Sequence, residues 1–227
     1  MFSTPILKVR TEGDCIMSPK DSPRTLFLDT ETTGSWLFGT PFSKLTRAGD
    51  PYLWDDLTEI AVCSADGETV YREYVCPPSI YLKQLTRWYP EDKPISAKNT
   101  DCSKAMLGKT PAEIVKDLGS LLSQARVVVH NLDFDRKVIE DSCEVSTGVQ
   151  ASLEGLFPST DFVCSKKRAL RVLPKAEVHY PNCGDRCKGH RLTHLHHQFG
   201  FGDYDEHDPL ADVKALAKVW SVLSNYS

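Results

Sequence analysis

Leu26-Phe27-Leu28-Asp29-Thr30-Glu31-Thr32-Thr33-Gly34 is the stretch on which the fold turns. Thr25 to Asp29 is a short apolar run that ends in a carboxylate, the pattern of a buried strand running out of core. Side chains alternate along a strand, so Asp29 and Glu31 point to the same side. Two neighbouring carboxylates repel each other and lose solvation there, an arrangement that a shared cation relieves. All-oxygen, carboxylate-rich ligation suits Mg²⁺ or Mn²⁺. Taken alone, the same pair also fits a solvated strand end.

The flanking segments supply the rest of a sheet. Leu57–Ser64 and Thr69–Cys76 read as strands joined by the turn Ala65-Asp66-Gly67-Glu68. Thr110-Pro111-Ala112-Glu113 is a capping box with Pro at the first helical position. Ile114, Leu118, Leu121 and Leu122 then share one helix face. Arg126–His130 contains three consecutive valines, as a fully buried strand does. Helix is expected at Phe134–Asp141, strand at Phe157–Cys164 and helix at Arg191–Phe199. A last helix is expected from Asp208-Pro209, with Leu210, Val213, Ala217 and Trp220 facing a core. Strands followed by alternating helix and strand predict an α/β fold, a mixed sheet flanked by helices on both sides. Residues 1–24 read as an N-terminal extension, with one domain over 25–227.

Two further segments end in carboxylates at element boundaries. His130-Asn131-Leu132-Asp133-Phe134-Asp135 follows the valine strand, which puts Asp135 on the first turn of a helix at the sheet edge. Asp133 is expected to cap that helix or face solvent. In His207-Asp208-Pro209-Leu210-Ala211-Asp212, Asp208 is the natural cap, Asp212 lies about one turn into the helix and His207 sits on the preceding loop.

The 227 residues are 41% hydrophobic and 26% charged, with net charge −4, enough to build a sizeable core. That charge argues against a basic nucleic-acid coating protein. No segment approaches the roughly 18 to 20 apolar residues of a membrane helix, and Met1–Arg10 lacks the apolar core of a secretory signal. Eight dispersed cysteines suit reduced thiols, so an intracellular location, cytoplasmic or nuclear, is expected.

In order and spacing, the three acidic segments resemble the motifs of the DnaQ-like 3′-to-5′ exonucleases, DEDDh subgroup. Asp29 and Glu31 match the first motif, His130-Asn131-x-x-Phe134-Asp135 the second and His207-x-x-x-x-Asp212 the third. Glu59-Ile60-Ala61 is similar to the family's second strand, and the resemblance spans about Thr25 to Leu223. It implies a ribonuclease H-like fold and release of nucleoside 5′-monophosphates from single-stranded 3′ ends of DNA or RNA. It further implies two Mg²⁺ ions, with Mn²⁺ able to substitute. Asp29 would bridge them, with Glu31 and Asp212 on the nucleophile's metal and Asp135 on the other. His207 would be the general base, since imidazole is suited to proton transfer near neutral pH. Thr32, Thr33 and Asn131 are candidates for gripping the terminal nucleotide. The alternative function is a nuclease fold that has lost activity and only binds nucleic acid.

Some features stand apart. Asn99–Ser103 departs from the His-Gly-Ile-Thr of many family members. The long segment 34–56 interleaves Trp36, Phe38, Phe42, Tyr52 and Trp54 with Lys44 and Arg47, suited to stacking bases or to folding back on the core. The basic run Lys166, Lys167, Arg168, Arg171 and Lys175 fits either phosphate contact or a solvated helix face. Cys183-x-x-x-Cys187-x-x-His190 invites structural Zn²⁺, with Cys164, His179, His194, His196 or His197 as a fourth ligand. The Cys-x-x-Cys pair that would make that reading strong is absent.

Overall fold

A computed structural model of the chain describes residues 23–32, 57–76, 102–105, 107–173 and 190–226. Among them, β1 (Thr25–Thr32) is the centre of a five-stranded sheet. It pairs antiparallel with β2 (Leu57–Ser64), which pairs antiparallel with β3 (Thr69–Tyr74). On its other side β1 runs parallel to β4 (Arg126–Val129), and β4 parallel to β5 (Asp161–Cys164), giving the order β3-β2-β1-β4-β5.

The β2–β3 hairpin closes as its Asp-Gly signal predicts. Gly67 takes φ +83°, where a side chain would be strained, and the Asp66 carboxylate accepts from the Glu68 N–H. After the short α1 (Cys102–Ala105), α2 (Pro111–Leu122) starts at the expected capping box, with Thr110 and Glu113 each bonding the other's backbone N–H. Its Ile114, Leu118 and Leu122 are buried, and Leu121 packs beside them.

α3 (Leu132–Thr147) is longer than the expected Phe134–Asp141. It ends where Gly148 enters the left-handed region at φ 69° and returns its N–H to the Glu144 carbonyl, a C-terminal glycine stop. The strand expected over Phe157–Cys164 is half as long. Ser152 caps a short helix, α4 (Leu153–Leu156), and regular pairing begins only at Asp161, beyond Pro158. The basic run falls largely on α5 (Ser165–Val172). α6 (Leu192–Gln198) and α7 (Pro209–Leu223) match the last two expected helices, with Asp208 as the cap of α7.

Two apolar layers sandwich the sheet, and strand alternation sorts the residues between them. Leu26 and Leu28 of β1, with Ile60 and Val62 of β2, face the layer built with α2 and α3. Phe27, Ala61, Cys63 and Val128 face the layer built with α6 and α7, where Leu195, Val213, Leu216 and Val219 are buried. This parity assigns the site: Asp29 and Glu31 share Phe27's face, the one α7 covers, whereas Thr30 shares the face of α3. Among the described residues, no helix is long and apolar enough to cross a membrane.

Candidate active site

The site forms where β1 outruns its parallel partner. Leu28 pairs with Val129, the last residue of β4. Asp29 and those after it therefore extend past β4, level with the turn that starts α3. On the α7 face, Asp29, Glu31 and Asp212 each offer a carboxylate oxygen, and these atoms lie within 4.8 Å of one another. Asp212 is positioned by seating rather than by sequence proximity. One turn after its Asp208 cap it lies on the stripe of α7 next to the buried Val213.

Asp135 comes from the opposite layer. It is only 2% exposed, and Thr30 Oγ1 donates to its Oδ1 at 2.8 Å. It stands outside the tight three-oxygen set, yet its charge acts on both Asp29 and Glu31. All four expected carboxylates thus share one corner of the molecule.

Their electrostatics are those of crowded acids. Burial, then repulsion from Asp135, Asp212 and Glu31, holds Asp29 well above the usual carboxylate range. Burial and then Asp212 push Glu31 up to about 8. Burial raises Asp135 to about 7, against the Thr30 hydrogen bond that favours its ionised form. Asp212 is raised by burial and moderated by its two donors, the Tyr204 hydroxyl to Oδ1 at 2.7 Å and the His207 N–H to Oδ2 at 2.9 Å. Among the described residues, no lysine or arginine pairs with any of the four. An oxygen-only donor set with unbalanced negative charge fits a hard divalent cation.

The other expected site residues fall as follows. His207 is exposed and takes φ 72°, a left-handed turn that aims its backbone N–H at Asp212 while its imidazole stays accessible. Thr32 is buried at the end of β1. Asn131 also takes a left-handed conformation, at φ 69°, as the residue before α3, and its Oδ1 accepts from Lys166 Nζ at 3.1 Å. Asp133 is exposed and pairs with Lys167 at 2.8 Å, so it does not cap α3. Thr33, the segment 34–56, Cys183, Cys187, His179 and Lys175 lie outside the described residues. Of the zinc candidates, His190 is buried at φ 74°. Among the described residues, the carboxylate trio is the one cluster with metal-ligating geometry.

His130 has a structural part. Its Nε2 lies 2.9 Å from the His190 carbonyl, which can only accept, so Nε2 carries the proton. Burial lowers the ring's pKa to about 4, leaving it neutral, and Nδ1 accepts from the Ser165 hydroxyl at 2.8 Å. The histidine thus pins the end of β4 to α5 and to the segment before α6.

Three supporting residues escape a reading of the sequence. Tyr204, Thr30 and Arg72 contact site carboxylates or their neighbours only through the tertiary fold. Thr30 lies inside the first motif, and its strand parity alone marks it as the neighbour of whatever covers the other face.

No family model matches this sequence, and no curated protein matches it. Solved structures do. E. coli exonuclease I in complex with a 5cy-dA13 oligonucleotide superposes with TM-score 0.57 at 17% identity, over 90% of this chain and 41% of that one. The zinc-ion-bound form of the E. coli exonuclease I–ssDNA complex gives 0.58 at 17%, over 89% and 40%. A product-bound exonuclease I gives 0.53 at 16%, over 88% and 44%. The chain therefore spans about two fifths of the length of these neighbours. The likeness and the observed sheet order agree with the expected architecture: the fold is ribonuclease H-like α/β.

Proposed function

We propose that this chain is a metal-dependent 3′-to-5′ exonuclease of the DEDDh type, releasing nucleoside 5′-monophosphates from single-stranded 3′ ends of DNA or RNA. One observation carries the reading: the convergence of Asp29, Glu31 and Asp212 within 4.8 Å, although Asp212 follows Glu31 by 181 residues in the chain. The similarity in fold to exonuclease I, solved with single-stranded DNA, supports the choice of substrate class.

Asp29, Glu31, Asp212 and Asp135 would hold two Mg²⁺ ions, with Mn²⁺ able to substitute. Bound there, such ions supply charge for the attacking and leaving oxygens and acidify water. The remaining work falls to the chain. The His207 imidazole, exposed beside Asp212, accepts the proton of the attacking water. Tyr204 and the His207 N–H fix the Asp212 carboxylate, and Thr30 fixes that of Asp135. Thr32, Thr33 and Asn131 hold the terminal nucleotide, with Lys166 beside Asn131 to meet a phosphate.

Incubation with 5′-labelled single-stranded DNA and RNA of matched sequence, in Mg²⁺, Mn²⁺ or EDTA, tests the proposal. Stepwise shortening from the 3′ end that EDTA stops is expected. A band shift without shortening in any metal would replace the enzyme with a binding module.

A further inference from the structure

Two acidic side chains border the candidate site without being directed into it. Glu59 lies opposite Glu31 in the β1–β2 register, 3% exposed. Asp208 caps α7, its Oδ1 accepting from the Ala211 N–H at 2.9 Å. Their charges both reach Glu31. A single guanidinium holds the pair. Arg72, on β3, donates from Nε to Glu59 Oε1 at 2.7 Å and from Nη2 to Asp208 Oδ2 at 2.7 Å.

The bonds run in one line from the outer strand of the sheet to the start of α7. Apolar contacts of Val213, Leu216 and Val219 press α7 onto the sheet, but such contacts are non-directional. The two guanidinium bonds are directional: one anchors Arg72 to Glu59 of β2, and the other acts at Asp208, between His207 and the turn that carries Asp212. A planar fork can grip two carboxylates at fixed angles, which an ammonium cannot.

We propose that Arg72 is a positioning residue of the cation site. It is a strut that fixes the start of α7, and with it Asp212 and His207, against Asp29 and Glu31, while keeping Glu59 and Asp208 out of the ligand set. The inference rests on the reading that the carboxylate trio takes a divalent cation. A bystander role makes the opposite forecast. A positive charge near a cation site repels the cation, so its removal alone would tighten binding.

Mn²⁺ binding to the full chain, measured by calorimetry alongside thermal unfolding, separates the two. Arg72→Met keeps most of the aliphatic bulk and loses both bonds. Asp208→Asn keeps an oxygen for the cap and turns an amide toward Arg72, but it also removes a negative charge beside the site, so its loss counts for the strut only where Arg72→Met shows the same direction. We expect both variants to weaken Mn²⁺ binding about 10- to 100-fold, the range typical when groups that support metal ligands are removed. Arg72→Lys should recover only part of the loss. If Arg72→Met fails to fold, Arg72→Lys decides, because it keeps the charge and loses the fork: weaker Mn²⁺ binding supports the strut and unchanged binding overturns it. Folded variants that bind Mn²⁺ as tightly as the unaltered chain, or more tightly, overturn the strut. An unaltered chain that binds no Mn²⁺ overturns the cation site itself, and the strut with it.

Discussion

The Tyr204 hydroxyl donates to Asp212 Oδ1 at 2.7 Å, and its ring meets His196 edge-on at 4.9 Å between centroids. His196 is buried, with its Nδ1 2.8 Å from the Gly202 carbonyl. The carboxylate is thereby tied through Tyr204 to the packed end of α6. Tyr204→Phe keeps the ring and removes the bond. Hydrogen bonds to charged groups contribute about 1.5–3 kcal/mol, and loss of a ligand's support typically costs about 10- to 100-fold in activity or metal affinity. A Mg²⁺ titration of exonuclease rate should show the half-saturating concentration raised by that order. An unchanged titration would remove Tyr204 from the site.

Asp29→Asn should abolish Mg²⁺-dependent release of mononucleotides while stabilising the metal-free protein. The gain follows from removing one charge from a repelling cluster. A rise of roughly 2–4 °C is what about 1 kcal/mol produces in a chain of this size. Thermal unfolding in EDTA at pH 8 checks it, and a fall in melting temperature would contradict the repulsion. Asp212→Ala should likewise end turnover with the fold intact.

The pH dependence of stability has a definite sign. Asp29 and Asp212 are raised, Glu31 stands at about 8 and Asp135 at about 7, all above their ordinary values. The folded, metal-free form therefore holds more protons than the unfolded chain. What these groups contribute is complete below about pH 4, the ordinary carboxylate range, and is lost as pH rises through 7 to 8. In EDTA, melting temperature should carry a component that declines over that upper window and is smaller in Asp29→Asn. A divalent cation binds the ionised forms, so its affinity grows with pH. Mg²⁺ should raise the melting temperature more at pH 8.5 than at pH 6; equal shifts would count against the assignment.

Thr30→Val tests the contact from the opposite face of the sheet. The substitution keeps the β-branched shape on β1 and withdraws the hydroxyl that serves the buried Asp135. Leaving a buried acceptor short of a donor costs about 1–3 kcal/mol. The Asp135 carboxyl should move further up, since this bond favours its ionised form. Urea unfolding measures the first effect. The second appears as an acid limb of the pH–rate profile displaced to higher pH.

Much of the architecture is written in local pattern. The alternation of Leu26 to Glu31 sets the face of both carboxylates before any partner is known. The Thr110–Glu113 box, the Asp66-Gly67 turn and the Asp208-Pro209 start act through atoms a few residues apart, and each was found where spacing placed it. The stop of α3 at Gly148 and the start of α4 at Ser152 were equally local signals, a left-handed glycine and a capping serine, that the apolar pattern overshadowed.

What spacing does not encode is which distant side chain arrives beside a given acid. Thr30 and Asp135 are 105 residues apart, and Arg72 and Asp208 are 136 apart. Tyr204 and Asp212 are near in sequence, but the loop between them has no regular period to relate them. Local sequence therefore distributed the carboxylates to the ends of their elements. Only the packing of α7 and α3 on opposite faces of β1 brought the acids together, because non-directional burial chooses partners by the shape of whole elements rather than by any short motif.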